Sequence, residues 1–175
     1  IEITGSENIV MGGDKGDFIN IGESGVENSG KNNVVLGDGG EYEVNNDKTS
    51  VKVTTDDDSI GGADEINVYG GGNIVMGGAQ GDEITIGESA SSSSNENVVL
   101  GDAGRYELKK NESLEIQTKN DSIGGVDSIK IYGGDNVAMG GAFGDTIEIV
   151  GTTNVVLGDG GLAEYDKSNV SNMVN

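Results

Sequence analysis

Apolar residues recur along the chain in short clusters separated by glycine and polar residues. From Asp127 the sequence reads DSIKIYGGD, NVAMGGAFG, DTIEIVGTT, NVVLGDGGL, which are four nine-residue units without a gap. Each unit offers three or four residues with alternating apolar side chains, followed by a glycine-rich turn, as short half-buried strands do. The pattern therefore predicts an all-β fold with one strand in every unit.

Twelve strands follow from this spacing, in two sets that alternate along the chain. The first set is 1–3, 18–21, 65–68, 83–86, 128–131 and 146–149, and the second set is 9–11, 34–36, 74–76, 98–100, 137–139 and 155–157. Two strands and two turns would make one coil, so the spacing predicts about six coils. Successive coils would stack as parallel strands about 4.8 Å apart.

A longer repeat contains the short one. Ile1, Ile66 and Ile129 are equivalent positions, 65 and then 63 residues apart. We expect one parallel β-roll or β-solenoid over 1–175, built from composite repeats 1–65, 66–128 and 129–175. We also expect this sequence to be a piece of a longer repeat protein.

Insertions interrupt the predicted turns but not the predicted strands. They fall at 24–32, 41–60, 89–96 and 105–123. Two of them contain paired alternating segments, EYEV with SVKVTT and RYEL with SLEIQT, which predict hairpin-like arms. A further arm starts at Ala163.

The second set of strands is apolar on both faces. Side chains alternate along a strand, so the middle residue of each three-residue strand fills the interior and the two flanking residues point outward. The outward residues are Ile9, Met11, Val34, Leu36, Ile74, Met76, Val98, Leu100, Val137, Met139, Val155 and Leu157. A patch of this size needs a cover. Either the hairpin arms fold back over it, or it pairs with another copy as a homo-oligomer or self-assembling lattice.

The composition excludes several kinds of catalytic and metal site. The 175 residues include 32 Gly and no Pro, Cys, Trp or His, and the formal net charge is −21. Without His and Cys the chain can form neither a Ser-His-Asp or Cys-His nucleophile nor a zinc site of the usual kind. The acidic charge disfavours nucleic acid and anionic membranes and favours cations as partners. The sequence has no transmembrane run, and we expect no membrane insertion.

The two sets of turns end in different residues. Turns that lead into the second set of strands end in Asn8, Asn33, Asn73, Asn97, Asn136 and Asn154, and turns that lead into the first set end in Asp17, Asp64, Asp82, Asp127 and Asp145. Stacked Asn side chains can form an amide ladder. A column of five carboxylates needs counter-ions, so the Asp edge is the candidate ion site.

The Asp turns GGDKGD, GGAQGD and GGAFGD carry oxygen ligands. Glycine pairs allow positive φ and let backbone carbonyls converge beside each Asp. Six or so oxygens suit Ca²⁺, whereas Mg²⁺ demands a strict octahedron. The candidate ligands are Gly12, Gly77, Gly140, Asp17, Asp82 and Asp145, joined by Asp38, Asp102 and Asp159 and by Asp64 and Asp127.

These turns resemble the calcium-binding repeats-in-toxin (RTX) nonapeptide, Gly-Gly-x-Gly-x-Asp-x-apolar-x. GGAQGDEIT and GGAFGDTIE match it except at the fourth position, which is Gln80 or Phe143 (Lys15 in the first copy). The composite unit also resembles the repeats of very large bacterial surface proteins. The resemblance implies a β-roll with calcium between coils, in a protein that is secreted and folds outside the cell, and it implies no particular enzyme.

The sequence favours a calcium-stabilised structural module of an extracellular or bacterial cell-surface protein that assembles laterally into a fibre, sheath or layer. The alternative is an adhesin or ligand-binding module, which needs a pocket. An ice-binding surface needs a regular outward array, whereas Asn20, Thr85 and Lys130 are irregular. We expect no enzyme, because the carboxylates follow the repeat and a catalytic pair should break it.

Overall fold

The computed structural model describes residues 1–26, 29–55, 60–89, 94–110, 113–119 and 122–165. Across these ranges the chain is all-β, with 17 strands in three sheets and no helix. Accordingly, the described residues include no helix long and apolar enough to cross a membrane. Parts of all four predicted insertions lie outside the described residues.

Sheet A contains the first predicted set of strands in a parallel arrangement. In spatial order it consists of β1 (Glu2–Ile3), β3 (Phe18–Ile21), β7 (Glu65–Val68), β9 (Glu83–Ile86), β13 (Ser128–Tyr132) and β15 (Thr146–Val150). The register aligns equivalent positions of the repeat, with Ile66 opposite both Ile19 and Ile84.

Sheet B contains the second set, also parallel. Its strands are β2 (Ile9–Met11), β4 (Val34–Leu36), β8 (Ile74–Gly78), β10 (Val98–Asp102), β14 (Val137–Gly141) and β16 (Val155–Asp159). Val75 lies opposite Val35 and Val99, so this register again follows the repeat. The predicted strands are confirmed in both sheets, and four of the strands in sheet B extend two residues into the glycine turns.

The core between sheets A and B is formed by inward-facing side chains from both sets of strands. It contains Val10, Ile19, Ile21, Val35, Ile66, Val68, Val75, Ile84, Ile86, Val99, Ile129, Ile131 and Ala138. These side chains come from alternate positions of each strand because successive Cβ atoms point to opposite faces. Ile3, Ile147 and Ile149 pack against this core and are only partly buried, since they lie in the outermost strands.

Sheet C is antiparallel and is built from the arms. It consists of β5 (Gly40–Val44), β6 (Val51–Thr55), β11 (Gly104–Leu108), β12 (Leu114–Thr118) and β17 (Leu162–Tyr165). The predicted hairpins are confirmed, since β5 pairs with β6 and β11 with β12. The arms also pair with each other, through β6 with β11 and β12 with β17.

Sheet C covers the outward apolar face of sheet B. Leu36, Met76, Leu100 and Met139 are fully buried, in a cluster that includes Val53, Tyr106, Leu114 and Ile116 of the arms. The sequence left open whether the arms or another copy of the chain cover this face, and in the structure the arms cover it. The middle of the face is therefore unavailable to a lateral partner, and exposed positions remain only in the outer strands, such as Ile9 (50%) and Val155 (40%).

The packing of the arms gives a first prediction. Ile116→Val should lower the free energy of unfolding by about 1 kcal/mol, the usual effect of removing one buried methylene, because Ile116 is fully buried between sheets C and B. Ile60→Val is the matched control, since Ile60 is 58% exposed. Urea denaturation would measure both variants, and equal stabilities would mean that the arms do not pack on sheet B.

Candidate metal-binding column

The five aspartates that precede the strands of sheet A form one column. The backbone N–H of each of the first four donates to Oδ1 of the next aspartate along the sheet. The distances are 2.7 Å from Asp17 to Asp64, 2.8 Å from Asp64 to Asp82, 2.7 Å from Asp82 to Asp127 and 2.9 Å from Asp127 to Asp145. The repeat thus places one inward carboxylate beside every strand of sheet A from β3 to β15.

The asparagine column at the opposite edge has the same backbone connectivity. Asn73 N–H donates to Asn97 Oδ1 at 2.9 Å, and the Asn73 Nδ2 group donates to the same oxygen at 3.0 Å. The other steps of this column repeat both bonds. An Asn supplies this second donor, and an ionised Asp does not.

The Asp column differs from the asparagine column at the second side-chain atom, which is the carboxylate oxygen Oδ2. Oδ2 of Asp64, Asp82, Asp127 and Asp145 is buried and has no hydrogen-bond partner. Asp64, Asp82 and Asp127 are themselves buried, with 3%, 2% and 1% exposure. Buried charges are ordinarily paired or bound to metal, because desolvating an unpaired carboxylate is costly. These four oxygens therefore require a cation or a proton.

Glycines at the ends of the sheet B strands make room for these carboxylates. A Cβ on Gly77 would lie under 3.0 Å from both Asp82 Oδ2 and the Gly101 carbonyl oxygen, and a Cβ on Gly37 would meet Asp64 Oδ2 and the Gly77 carbonyl in the same way. The same overlap holds at Gly12, Gly101 and Gly140. A side chain at these positions is excluded, so carboxylate and carbonyl oxygens line the corner together.

The electrostatics of the column favour neutralisation. Burial, together with the charges of neighbouring aspartates, raises the pKa of Asp82 to about 9. The same causes raise the pKa of Asp127 to about 7 and that of Asp64 to about 6, from an ordinary value of 3.8. Asp64, Asp82 and Asp127 cannot all stay ionised at neutral pH without a counter-ion.

Asp38 and Asp102 lie beside the column and have a different environment. Asp38 accepts N–H groups from Gly62 at 2.9 Å and Ala79 at 2.6 Å, one on each carboxylate oxygen. Asp102 accepts the equivalent pair from Gly125 and Ala142. Each carboxylate therefore joins two turns. From the sequence we expected both residues to be ion ligands, and these backbone bonds were not predicted. The signal available was the recurrence of Asp38 and Asp102 at one repeat position.

The remaining candidate residues are placed as follows. Gly12, Gly77 and Gly140 lie against Asp17, Asp82 and Asp145. Asp159 ends β16 and is exposed. The described residues contain no cluster of three or more acidic, His or Cys side chains arranged to hold a metal.

The glycine positions give a second prediction. Gly77→Ala should lower the free energy of unfolding by about 1–3 kcal/mol, the usual cost of overpacking, because its Cβ would overlap Asp82 Oδ2 and a carbonyl. Gly158→Ala is the matched control, since Gly158 has the same position in β16 and its Cβ would meet nothing within 4 Å. Thermal melts of both variants test this, and equal losses would contradict the close packing.

Comparison of the chain with known proteins gives no further evidence about this column. The chain matches no family model, no curated protein and no solved structure.

Proposed function

We propose that this chain is a calcium-stabilised structural module, a parallel β-roll of about six coils in a secreted extracellular or cell-surface protein, without enzymatic activity. The observation that carries the proposal is the Asp column with its four buried, unpartnered Oδ2 atoms. In a chain of net charge −21, these atoms require positive charge brought from solution.

The ligands fit a hard cation. Oδ2 atoms of neighbouring aspartates, such as Asp64, Asp82 and Asp127, would supply the charge, and carbonyl oxygens of the glycine turns would supply neutral ligands. Carboxylate and carbonyl oxygens suit Ca²⁺, which tolerates irregular shells, better than Mg²⁺, which keeps its waters and a strict octahedron. Bound calcium would neutralise the column without occupying the Oδ1 atoms that accept backbone N–H groups.

The function would then be mechanical. Calcium that binds the folded column and not the unfolded chain converts binding free energy into folding free energy. A low-calcium compartment would leave the chain unfolded or loosely packed, and a calcium-rich exterior would lock the strands. The resemblance to RTX repeats and to large bacterial surface proteins supports this location. Assembly into a fibre, sheath or layer remains part of the proposal, with the covered face of sheet B excluded as its lateral contact.

Isothermal titration calorimetry with calcium tests the proposal. Asp82→Asn combined with Asp127→Asn should weaken calcium binding at least tenfold, because it removes two of the charged ligands. The matched control is Glu65→Gln combined with Glu83→Gln, since these side chains are exposed and carry the same charge change. Equal affinities in the two double variants would place the bound calcium elsewhere, and no heat of binding in the parent chain would refute the proposal.

A second candidate, the ligand-binding module, rests on a cleft between sheets B and C. Its volume is about 270 Å³, and its apolar walls are Val34, Val51, Ile74, Val98, Tyr106 and Leu108. Glu96, which also lines the cleft, disfavours anions. Chemical-shift changes at Tyr106 on adding a neutral aromatic probe would support this candidate, whereas probe-induced changes spread evenly over the surface would count against it.

A further inference from the structure

The cleft between sheets B and C lies in the interior of the stack. Its sheet B walls belong to β4, β8 and β10, which are flanked by β2 and β14, and its sheet C walls belong to β6 and β11, which are each paired on both sides. None of its described walls belongs to the first or last strand of a sheet. A cavity of about 150 Å³ can hold benzene, so the volume of about 270 Å³ has room for one ring and a substituent.

The turns that precede the asparagine column supply the polar lining of the cleft. The residue before each Asn of the column has a left-handed φ, between 55° and 71°. These residues are Glu7, Asn32, Gly72, Glu96, Asp135 and Thr153. Asn32, Gly72 and Glu96 belong to successive coils, and all three line the cleft. The repeat is broken at Gly72, because the equivalent residues of the other two copies, Glu7 and Asp135, carry side chains.

The missing side chain at Gly72 makes room for a polar group of the neighbouring coil. A Cβ on Gly72 would overlap Asn32 Oδ1. Neither the Asn32 side chain nor the Glu96 carboxylate forms a hydrogen bond within the described ranges of the chain. Glu96 also forms no ion pair there, and it is the one charged residue among the described walls. The cleft therefore carries an uncompensated negative charge.

Tyr106, which lines the cleft, provides an independent indication of a ligand. Its side chain is 5% exposed and packs with the apolar residues between sheets B and C. Its hydroxyl nevertheless has no hydrogen-bond partner among the residues that the structure describes. Burial raises the pKa of Tyr106 to about 12, so the hydroxyl keeps its proton at neutral pH. Because buried tyrosine hydroxyls usually find a partner, a ligand that fills this cleft needs a polar group that can pair with it.

We infer that the cleft binds a small organic ammonium ion whose apolar body is about the size of one ring. The ammonium group would pair with the Glu96 carboxylate, and Asn32 Oδ1 and the Tyr106 hydroxyl can accept its remaining N–H groups. The apolar body would replace water against the valine, isoleucine and leucine side chains of the walls. The inference rests on the second candidate function, the ligand-binding module, and goes beyond it by naming the charge and size of the ligand. It requires no bound calcium.

Three probes with one ring and different charges test the inference. Benzylamine is cationic at pH 7, benzyl alcohol is neutral and benzoate is anionic. Each is titrated into the ¹⁵N-labelled full chain and followed by NMR amide shifts, with calcium present and enough salt to screen the net charge of −21. Benzylamine should shift the amides of Glu96 and Tyr106 in one saturable transition. Benzyl alcohol should bind the same cleft about tenfold more weakly, because it lacks the charge-assisted bond, and benzoate should not bind.

Two variants remove the proposed contacts one at a time. Glu96→Gln should weaken benzylamine binding about tenfold and leave benzyl alcohol binding unchanged, because only the charge is lost. Tyr106→Phe should weaken the binding of both about threefold, the usual effect of one neutral hydrogen bond. The control for the charge is Glu83→Gln, which is exposed on sheet A. The control for the hydroxyl is Tyr42→Phe, because Tyr42 lies opposite Val53 as Tyr106 does and is not one of the cleft walls. Both controls should bind the probes as the parent chain does.

The outcomes separate this inference from the functions proposed above. Equal affinities of benzylamine and benzyl alcohol at the cleft would overturn the inference and leave the ligand-binding module intact. No saturable shift at Tyr106 with any probe would overturn both, whereas neither result bears on calcium binding. Benzylamine shifts that spread over the acidic surface and persist in Glu96→Gln would show attraction to the net charge alone and overturn the inference. The amide spectra report folding, and if Tyr106→Phe does not fold, the Glu96→Gln variant decides.

Discussion

In the absence of calcium, the protein should become more stable as the pH falls from about 9 toward 4. The pKa of Asp82 is raised to about 9 by burial, and the pKa values of Asp127 and Asp64 are raised to about 7 and about 6 by the same cause. These groups have ordinary values near 3.8 when the chain is unfolded. The stability they contribute is complete below pH 4 and is lost as the pH rises through the folded pKa values.

The reason is that the folded column binds protons that the unfolded chain releases. Each additional proton bound by the folded state changes the free energy of unfolding by about 1.4 kcal/mol per pH unit. Asp64 and Asp127 both titrate near neutrality, and burial also raises the pKa of Asp102 to about 6. Acidification from pH 8 to pH 5 should therefore stabilise the calcium-free protein by several kcal/mol, the largest effect that we expect from any solution condition apart from calcium itself.

Thermal melts in chelator between pH 5 and pH 8 measure this dependence. Saturating calcium should flatten or reverse it, because protons and calcium compete for the same oxygens. Glu83→Gln is the control for a general relief of charge repulsion. It removes one exposed charge beside Asp82 and should leave the dependence of the melting temperature on pH as it is in the parent chain. A calcium-free melting temperature that falls on acidification would contradict the ionisation of the column.

Asp82→Asn should have opposite effects with and without calcium. Without calcium at pH 6 it should raise the free energy of unfolding by about 1–3 kcal/mol, because Asp82, whose pKa is raised to about 9 in the folded protein, must take up a proton on folding and Asn needs none. With calcium it should lower the stabilisation that calcium provides, since the side chain loses its charge. The melting temperature of a chain of this size moves roughly 2–4 °C per kcal/mol, so both changes are measurable.

The asparagine column is the reason for this expectation. Its Nδ2 groups donate to the following Oδ1 at 3.0–3.1 Å while its backbone N–H groups make the same bonds as those of the aspartates. Asn at position 82 would keep the bond that Asp64 N–H donates and would place a donor where Oδ2 is unpartnered. The substitution therefore extends the asparagine pattern into the Asp column.

Differential scanning calorimetry gives the four melting temperatures needed, those of Asp82→Asn and of the control Glu83→Gln, each with calcium and with chelator. Asp82→Ala should destabilise both forms, because Asp64 N–H loses its acceptor. Asn73→Ala should cost stability to the same extent with and without calcium, since it removes the acceptor for Asn33. If Asp82→Asn instead behaves like Glu83→Gln in both conditions, Asp82 neither takes up a proton on folding nor binds calcium.

The strands were predictable because their signal is local. Alternating apolar residues between glycine turns fix both the strand and the face that it buries, and residues such as Ile84 and Val99 are buried as that pattern requires. The repeat also fixed which aspartates align, because equivalent positions in parallel strands lie side by side.

Other features depend on tertiary contacts that local patterns do not encode. Each arm reads as an isolated hairpin, and nothing within it indicates that β6 pairs with β11 or β12 with β17. The backbone bonds of Asp102 were missed for a similar reason, because their donors Gly125 and Ala142 lie in separate turns. A Gly-Asp pair looks the same in sequence whether its carboxylate anchors a turn or binds an ion.

Calcium-dependent folding is tested by a calcium titration of chelator-treated protein at pH 8, followed by far-ultraviolet circular dichroism. We expect a weak β-sheet signal in chelator and a cooperative gain as calcium is added, with magnesium far less effective. A full β-sheet signal in chelator that calcium leaves unchanged, in both intensity and melting temperature, would contradict calcium-dependent folding.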